Sequence, residues 1–297
     1  MASRGLMGTS VELGVSVDAL AALAAHVRLE TEGIDADPAV RGLLAAIAAE
    51  VTAGASADDP AAAPVVGLTR AFLRQATELV EQPGRAGAWD QVNEDLLQGM
   101  GRLSMAVVDA FATAEDQLEG LGERMATDGA RFLDVGTGTG WLAIAVARRH
   151  PGAHVVGLDI FDPALALARA NVAAEGLEDR VELRQQDVAA LAEEASYDAV
   201  WLPLPFLPRA VTEPALAACA RALRPGGWLL AGTFAGPPGR LAELLVDLRT
   251  VRAGGHPWRD DELLAVLAAG GYADVGEIPR QWTAPVRLFV GQRSTSP

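Results

Sequence analysis

The residues best suited to chemistry lie together in Arg131-Phe132-Leu133-Asp134-Val135-Gly136-Thr137-Gly138-Thr139-Gly140-Trp141-Leu142. A short apolar run reaches a carboxylate, glycines follow at every second position, and a helix opens. Glycine lets the backbone approach a ligand with no Cβ in the way, and the free N–H groups of the following helix face the same crevice. The turn reads as a ligand cradle. A dinucleotide fingerprint carries its last glycine one residue later, where this chain has Trp141, so pyrophosphate is disfavoured. Asp134 adds negative charge that repels phosphate and suits a ligand with a cationic end.

These residues need a sheet to position them. The run His154 to Asp159 reads as a second buried strand ending in an acid, and Val181 to Asp187 as a third. At the carboxyl edge of a parallel sheet, three such acids line the crevice where open α/β folds bind ligands. Asp159 is placed to take both hydroxyls of a ribose, and Asp187 to accept from the exocyclic amine of an adenine. Asp134 is expected near an ammonium or sulfonium, directly or through water.

The segments LDVGTGTGWLA, GLDIFDPALALARANV, QQDV, YDAVWLPLPF and LRPGGWLLAG together resemble the successive motifs of the class I S-adenosylmethionine-dependent methyltransferases. The resemblance covers residues 130 to 235 well and the rest of the C-terminal half more loosely. It implies an α/β fold, a seven-stranded, mostly parallel, doubly wound sheet of order 3-2-1-4-5-7-6 with the seventh strand antiparallel. It also implies S-adenosyl-L-methionine as cofactor, S-adenosyl-L-homocysteine as product, and cofactor contacts from Asp134, Gly136, Thr137, Gly138, Gly140, Asp159, Ile160, Gln186, Asp187, Val188 and Leu202. Members that methylate amide or base nitrogens have Asn-Pro-Pro-Tyr after the fourth strand. Pro203, Leu204, Pro205 and Phe206 stand there in this chain, so those acceptors are not expected by that route. The competing reading, a strand, turn and helix with merely structural glycines, has the ordered run of motifs against it.

Two parts are expected: an all-helical region over 1–126, serving as substrate cap, dimerisation element or both, and the cofactor-binding domain over 127–297. Leu20, Leu23 and Val27 recur at helical spacing in a helix from about Val17, as do Leu43, Leu44 and Ile47 after the break at Asp37-Pro38. A loop over 52–60 follows, then helices from about Pro64 to Gln82, Asp90 to Ala112 and Glu115 to Met125. From Arg131 strand and helix alternate, with a helix from Gly140, another capped by Asp162 before Pro163, a fifth strand after the turn Arg224 to Gly227, and two last strands near 273–278 and 286–292. Trp89 and Gln98, on helices just before the core, are candidates to touch cofactor or substrate.

The formal charge of −15 in 297 residues argues against nucleic acid as partner, and the absence of lysine excludes Schiff-base chemistry. The single cysteine, Cys219, sits in an alanine-rich helical run and reads as core packing, with no disulfide framework and no thiolate metal site. No metal requirement and no membrane span are expected, and the cytoplasm is the expected compartment. Among bases, His150 and His154 fall at the edge opposite the crevice and His26 reads as solvated. His256, in Gly254-Gly255-His256-Pro257-Trp258, is the catalytic candidate. The lack of an evident base after the fourth strand favours an acceptor already ionised, such as a carboxylate, phenolate or activated carbon. Trp201, Phe206, Trp258 and Trp282 are candidates for an apolar substrate wall. A small-molecule acceptor, O- or C-methylated, leads the functional reading, with homodimerisation through the N-terminal helices. A peptide or protein carboxyl methyltransferase and a non-catalytic cofactor binder are the alternatives.

Overall fold

The computed structural model describes residues 5–53, 63–89 and 93–294, which fall into two compact units, 1–83 and 84–297. The first contains α1 (Leu6–Thr31), α2 (Pro38–Val51) and α3 (Ala63–Glu81). Asp37 caps α2 by accepting from the N–H groups of Ala39 and Val40, with Pro38 in the first turn. Helix α1 starts at Leu6, well before Val17; Leu6, Met7, Val11, Leu13 and Val15 are all exposed, so no buried stripe marks this first part of the helix in the sequence. Most of the expected loop over 52–60 lies outside the described residues.

One expectation needs correction here. With 26 residues and an 18-residue window of mean hydropathy 1.4, none of it buried, α1 is long and apolar enough to cross a membrane by length and composition. Glu12 and Asp18 break the run of apolar residues in sequence, which hides the length of the helix that contains them.

The second unit begins with α4 (Glu94–Ser104), α5 (Val108–Gln117) and α6 (Leu121–Ala126), so the boundary falls at 83/84 rather than 126/127. The expected helix from Asp90 to Ala112 is broken by a 3₁₀ turn at Met105–Val107, and α4 is capped by Asn93, which accepts from the Leu96 N–H. Helices α5 and α6 belong with the sheet because they cover one of its faces. The Phe111 ring lies 5.6 Å from that of Phe132 and 5.3 Å from that of Trp201, and Leu121 and Met125 are buried beside them.

The sheet contains β1 (Arg131–Val135), β2 (His154–Asp159), β3 (Val181–Gln185), β4 (Tyr197–Pro203), β5 (Leu223–Phe234), β6 (Tyr272–Ile278) and β7 (Val286–Arg293), in order β3-β2-β1-β4-β5-β7-β6. Only β7 runs antiparallel to its neighbours, as expected. Helices α7 (Trp141–Arg149), α8 (Asp162–Ala174), α9 (Arg209–Ala222), α10 (Arg240–Arg252) and α11 (Asp260–Ala269) complete the unit. Successive residues of the central strands point to opposite faces and build two cores. Phe132, Val155, Ala199, Trp201 and Trp228 lie in one, and Leu133, Val156, Val200, Leu202 and Leu229 in the other. Cys219 is fully buried in the second, and burial pushes its thiol up to about 12, which makes it inert packing.

Two local expectations change. The segment Arg224 to Gly227 lies inside β5, where the pairing with β4 shifts register between Tyr197 and Ala199. Helix α8 is preceded by Phe161, and Asp162 makes no capping bond.

Candidate active site

The glycine turn sits between β1 and α7, and Gly136, Gly138 and Gly140 have φ of +65°, +56° and +79°, a region that side chains rarely adopt. Two backbone bonds brace it, from the Thr137 N–H to the Leu158 carbonyl and from the Gly140 N–H to the Thr137 carbonyl, both at 2.9 Å. A Cβ on Gly136 would lie 3.2 Å from Pro203 Cγ, which brings the end of β4 against the turn.

Asp134 lies one residue inside the end of β1 and is 1% exposed. Its Oδ2 accepts from Thr137 Oγ1 at 2.7 Å, and its Oδ1 is buried without a partner. Burial, with a smaller push from Asp159, raises its carboxyl to about 7 against the opposing Thr137 bond. A buried, half-unsatisfied acid fits a cationic ligand group, because such a ligand supplies the missing counter-charge. Gly157, the partner of Asp134 in the β1–β2 register, makes the room: a Cβ there would sit 2.7 Å from Thr137 Oγ1. Sequence reading passes over Gly157, although a glycine inside a buried strand marks close approach.

Asp159 ends β2. Its Oδ2 accepts from the Gly138 N–H at 2.8 Å and its Oδ1 from the Phe161 N–H at 2.9 Å, leaving one lone pair on each oxygen for a diol. Burial raises its carboxyl, and these backbone bonds oppose the rise. Ile160, next in the chain, is 70% exposed and offers an apolar surface beside that acid. Asp187 stands two residues beyond β3, where it caps a 3₁₀ turn through the Ala189 N–H at 2.9 Å, and it remains exposed. Gln186 is half-buried between them, its N–H donating to the Asp159 carbonyl. Val188 is buried, and Leu202 is fully buried in the second core, so its side chain packs there and Pro203 is the β4 residue against the turn.

Gln98 makes protein contacts. Its Oε1 accepts from Trp141 Nε1 at 2.8 Å and from Asn171 Nδ2 at 3.0 Å, and its Nε2 donates to Asn171 Oδ1 at 3.1 Å. Among the proposed wall residues, Trp201 and Trp282 are core. Trp201 fills the space left by Gly232, where a Cβ would lie 2.1 Å from its ring, and the Trp282 indole donates to the Val286 carbonyl. Phe206 is half-buried at the carboxyl edge, 4.9 Å from the Trp89 ring and 5.8 Å from that of Phe234.

His256 and Trp258 line a cavity of about 460 Å³ with Leu204, Pro205, Thr233 and Phe234, at the carboxyl ends of β4 and β5. The glycine pair carries the loop there: a Cβ on Gly255 would lie 2.2 Å from the Pro205 carbonyl oxygen. The His256 ring packs edge-on to Trp258 at 4.6 Å, and its Nε2 lies 3.1 Å from Arg209 Nη1 and 3.6 Å from Glu262 Oε2. A guanidinium can only donate, so a bond from Arg209 occupies the Nε2 lone pair. The other histidines have other surroundings. His150 pairs with Glu115, His154 opens β2, and His26 is half-buried in α1 with Nδ1 unpartnered rather than solvated.

The sheet order, with β7 antiparallel, is the class I methyltransferase fold that the sequence motifs implied. Residues 132–227 match the family described as methyltransferase domain. Over 109 residues the chain is 43% identical to a demethylmenaquinone methyltransferase of Thermus thermophilus, covering 36% of this chain and 49% of that one. Over 151 residues it is 37% identical to a ubiquinone biosynthesis O-methyltransferase of Hahella chejuensis, covering 48% of this chain and 61% of that one. The chain thus spans about half the length of these curated relatives. In fold it is similar to human N-acetylserotonin methyltransferase, solved in complex with S-adenosylmethionine, with a TM-score of 0.70 at 14% identity over 99% of this chain and 100% of that one.

Proposed function

We propose that the protein binds S-adenosyl-L-methionine in the crevice over β1 and β2 and transfers its methyl group to a small-molecule acceptor, a specialised metabolite methylated at oxygen or carbon. The observation that carries this reading is Asp134, a buried acid with an unpartnered oxygen beside a glycine turn and within the field of a second acid. When bound, the cofactor supplies an activated methyl on a sulfonium and leaves as the neutral thioether. Asp134 would hold the cationic end, Asp159 would take the ribose hydroxyls, and Ile160 and Asp187 would serve the adenine. The chain otherwise contributes alignment and exclusion of water. The cavity of about 460 Å³ supports a small acceptor, since it lies within the range of small-molecule sites. His256, on its wall, is the residue assigned to the acceptor's proton, and Arg209 must release Nε2 for it to do so.

The reading includes a homodimer formed through the N-terminal helices and a place in the cytoplasm; pelleting of the full-length protein with membranes would remove the latter. Calorimetry with S-adenosylmethionine and S-adenosylhomocysteine tests the cofactor assignment. Asp159→Ala is expected to weaken both roughly a hundredfold, the loss of two bonds to a charged acceptor. No binding by the wild type, or binding of a nicotinamide coenzyme instead, overturns the reading. Labelled methyl appearing on a peptide carboxylate rather than on small molecules would assign the other acceptor class.

A further inference from the structure

The first half of the glycine turn is held by Asp134, Asp159 and the Leu158 carbonyl, while Thr139 and Trp141 beyond it are met by helix α4. Four hydrogen bonds meet there, two of them reciprocal between Gln98 and Asn171. The Trp141 indole can only donate, so the atom 2.8 Å from it is Gln98 Oε1. That choice turns Gln98 Nε2 toward Asn171 Oδ1 at 3.1 Å, which in turn aims Asn171 Nδ2 at Gln98 Oε1 at 3.0 Å and at the Thr139 carbonyl at 2.8 Å. The same face of α4 approaches the turn closely. A Cβ on Gly101 would lie 1.9 Å from Thr139 Oγ1 and 2.9 Å from Trp141 Cδ1, and the Arg102 guanidinium lies 4.9 Å from the Trp141 ring. Glycines at positive φ have no side chains with which to hold a turn, so its conformation must be imposed by neighbours.

We propose that Gln98 is a positioning residue: paired with Asn171, it latches α4 onto Thr139 and Trp141, and this docking shapes the turn for the cofactor. The inference rests on the cofactor reading above and assigns Gln98 an action through the turn rather than on the ligand. It makes affinity for the cofactor depend on a helix that lies outside the sheet and precedes it in the chain.

The test uses the full chain with Gln98→Ala, Asn171→Ala, the double variant, and Leu97→Ala as control. Leu97 is buried on the same helix, 5% exposed, and takes no part in the latch. Readouts are S-adenosylhomocysteine affinity by calorimetry, melting temperature, and deuterium exchange over residues 137–142. Each latch variant is expected to weaken S-adenosylhomocysteine about tenfold and to speed exchange in the turn, with the double variant no worse than either single because one network is broken once. Leu97→Ala is expected to lower the melting temperature while affinity and turn exchange stay at wild-type values. Wild-type affinity and exchange in Gln98→Ala overturn the proposal, as does an equal loss of affinity in Leu97→Ala, which would make the effect one of stability alone. If the wild type does not bind S-adenosylhomocysteine, the cofactor reading fails by itself, and the latch is then decided by exchange: faster exchange in Gln98→Ala and Asn171→Ala upholds it, unchanged exchange ends it.

Discussion

A carboxylate without solvent or a cation is an expensive group to bury, and Asp134 is kept so at the centre of the site. Its folded value of about 7 lies above the roughly 3.9 of an unfolded aspartate. Between those values the folded protein holds a proton that the unfolded chain has released, so the contribution of Asp134 to stability is most favourable below about pH 4 and declines as pH rises to about 7. Asp159, also raised, acts in the same direction. Asp134→Asn is therefore expected to melt roughly 5 °C higher than wild type at pH 8, with the gap closing toward pH 5, and to bind S-adenosylmethionine less well. A gap independent of pH would mean that Asp134 is ionised throughout. In the wild type, cofactor binding near pH 6 should release a proton, visible as a calorimetric enthalpy that varies with the buffer's ionisation heat. His256→Ala is expected to lower kcat about a hundredfold while leaving S-adenosylhomocysteine affinity unchanged. A full kcat in that variant, flat from pH 6 to 9, would place the proton loss on the acceptor.

Among elements, the strands were the most legible, because a parallel strand covered on both faces is almost wholly apolar, and β4 is buried at all seven positions with Asp198, paired to Arg224, its one charged residue. Which face each strand residue takes is another matter. Trp201 and Trp282 look like substrate wall in sequence because aromatic type says nothing of direction, and the pleat sends Trp201 into the core under α5. The fit with Gly232 is tight enough to test. Gly232→Ala places a Cβ against the Trp201 ring and is expected to cost about 1–3 kcal/mol of stability, most of it recovered in the double variant with Trp201→Leu. Chemical denaturation measures both, and a neutral Gly232→Ala would mean that the ring moves freely. The break between α4 and α5 was illegible, since apolar residues keep helical spacing through the 3₁₀ turn at Met105–Val107.

In the whole molecule, apolar surface is left open on both units, along α10 of the second and along α1 and α2 of the first. Val40, Leu43, Ile47 and Val51 recur at helical spacing along α2 and are 38% to 66% exposed. A second copy covering this stripe is expected to give a dimer in sedimentation at micromolar concentration, and Leu43→Glu with Ile47→Glu to give a monomer. A monomeric wild type ends that reading.

The glycine turn and the acids around it were legible in the sequence because they depend on local periodicity and on motifs a few residues long, and the sheet order was implied by the family resemblance those motifs carry. Only tertiary structure decided that Gln98 serves Asn171 and Trp141, that Gly157 opens space for Thr137, and that Gly255 carries His256 to the end of β4. Each of those is a contact between segments far apart in the chain, and neither propensity nor spacing records which distant atom a side chain or a missing Cβ will meet.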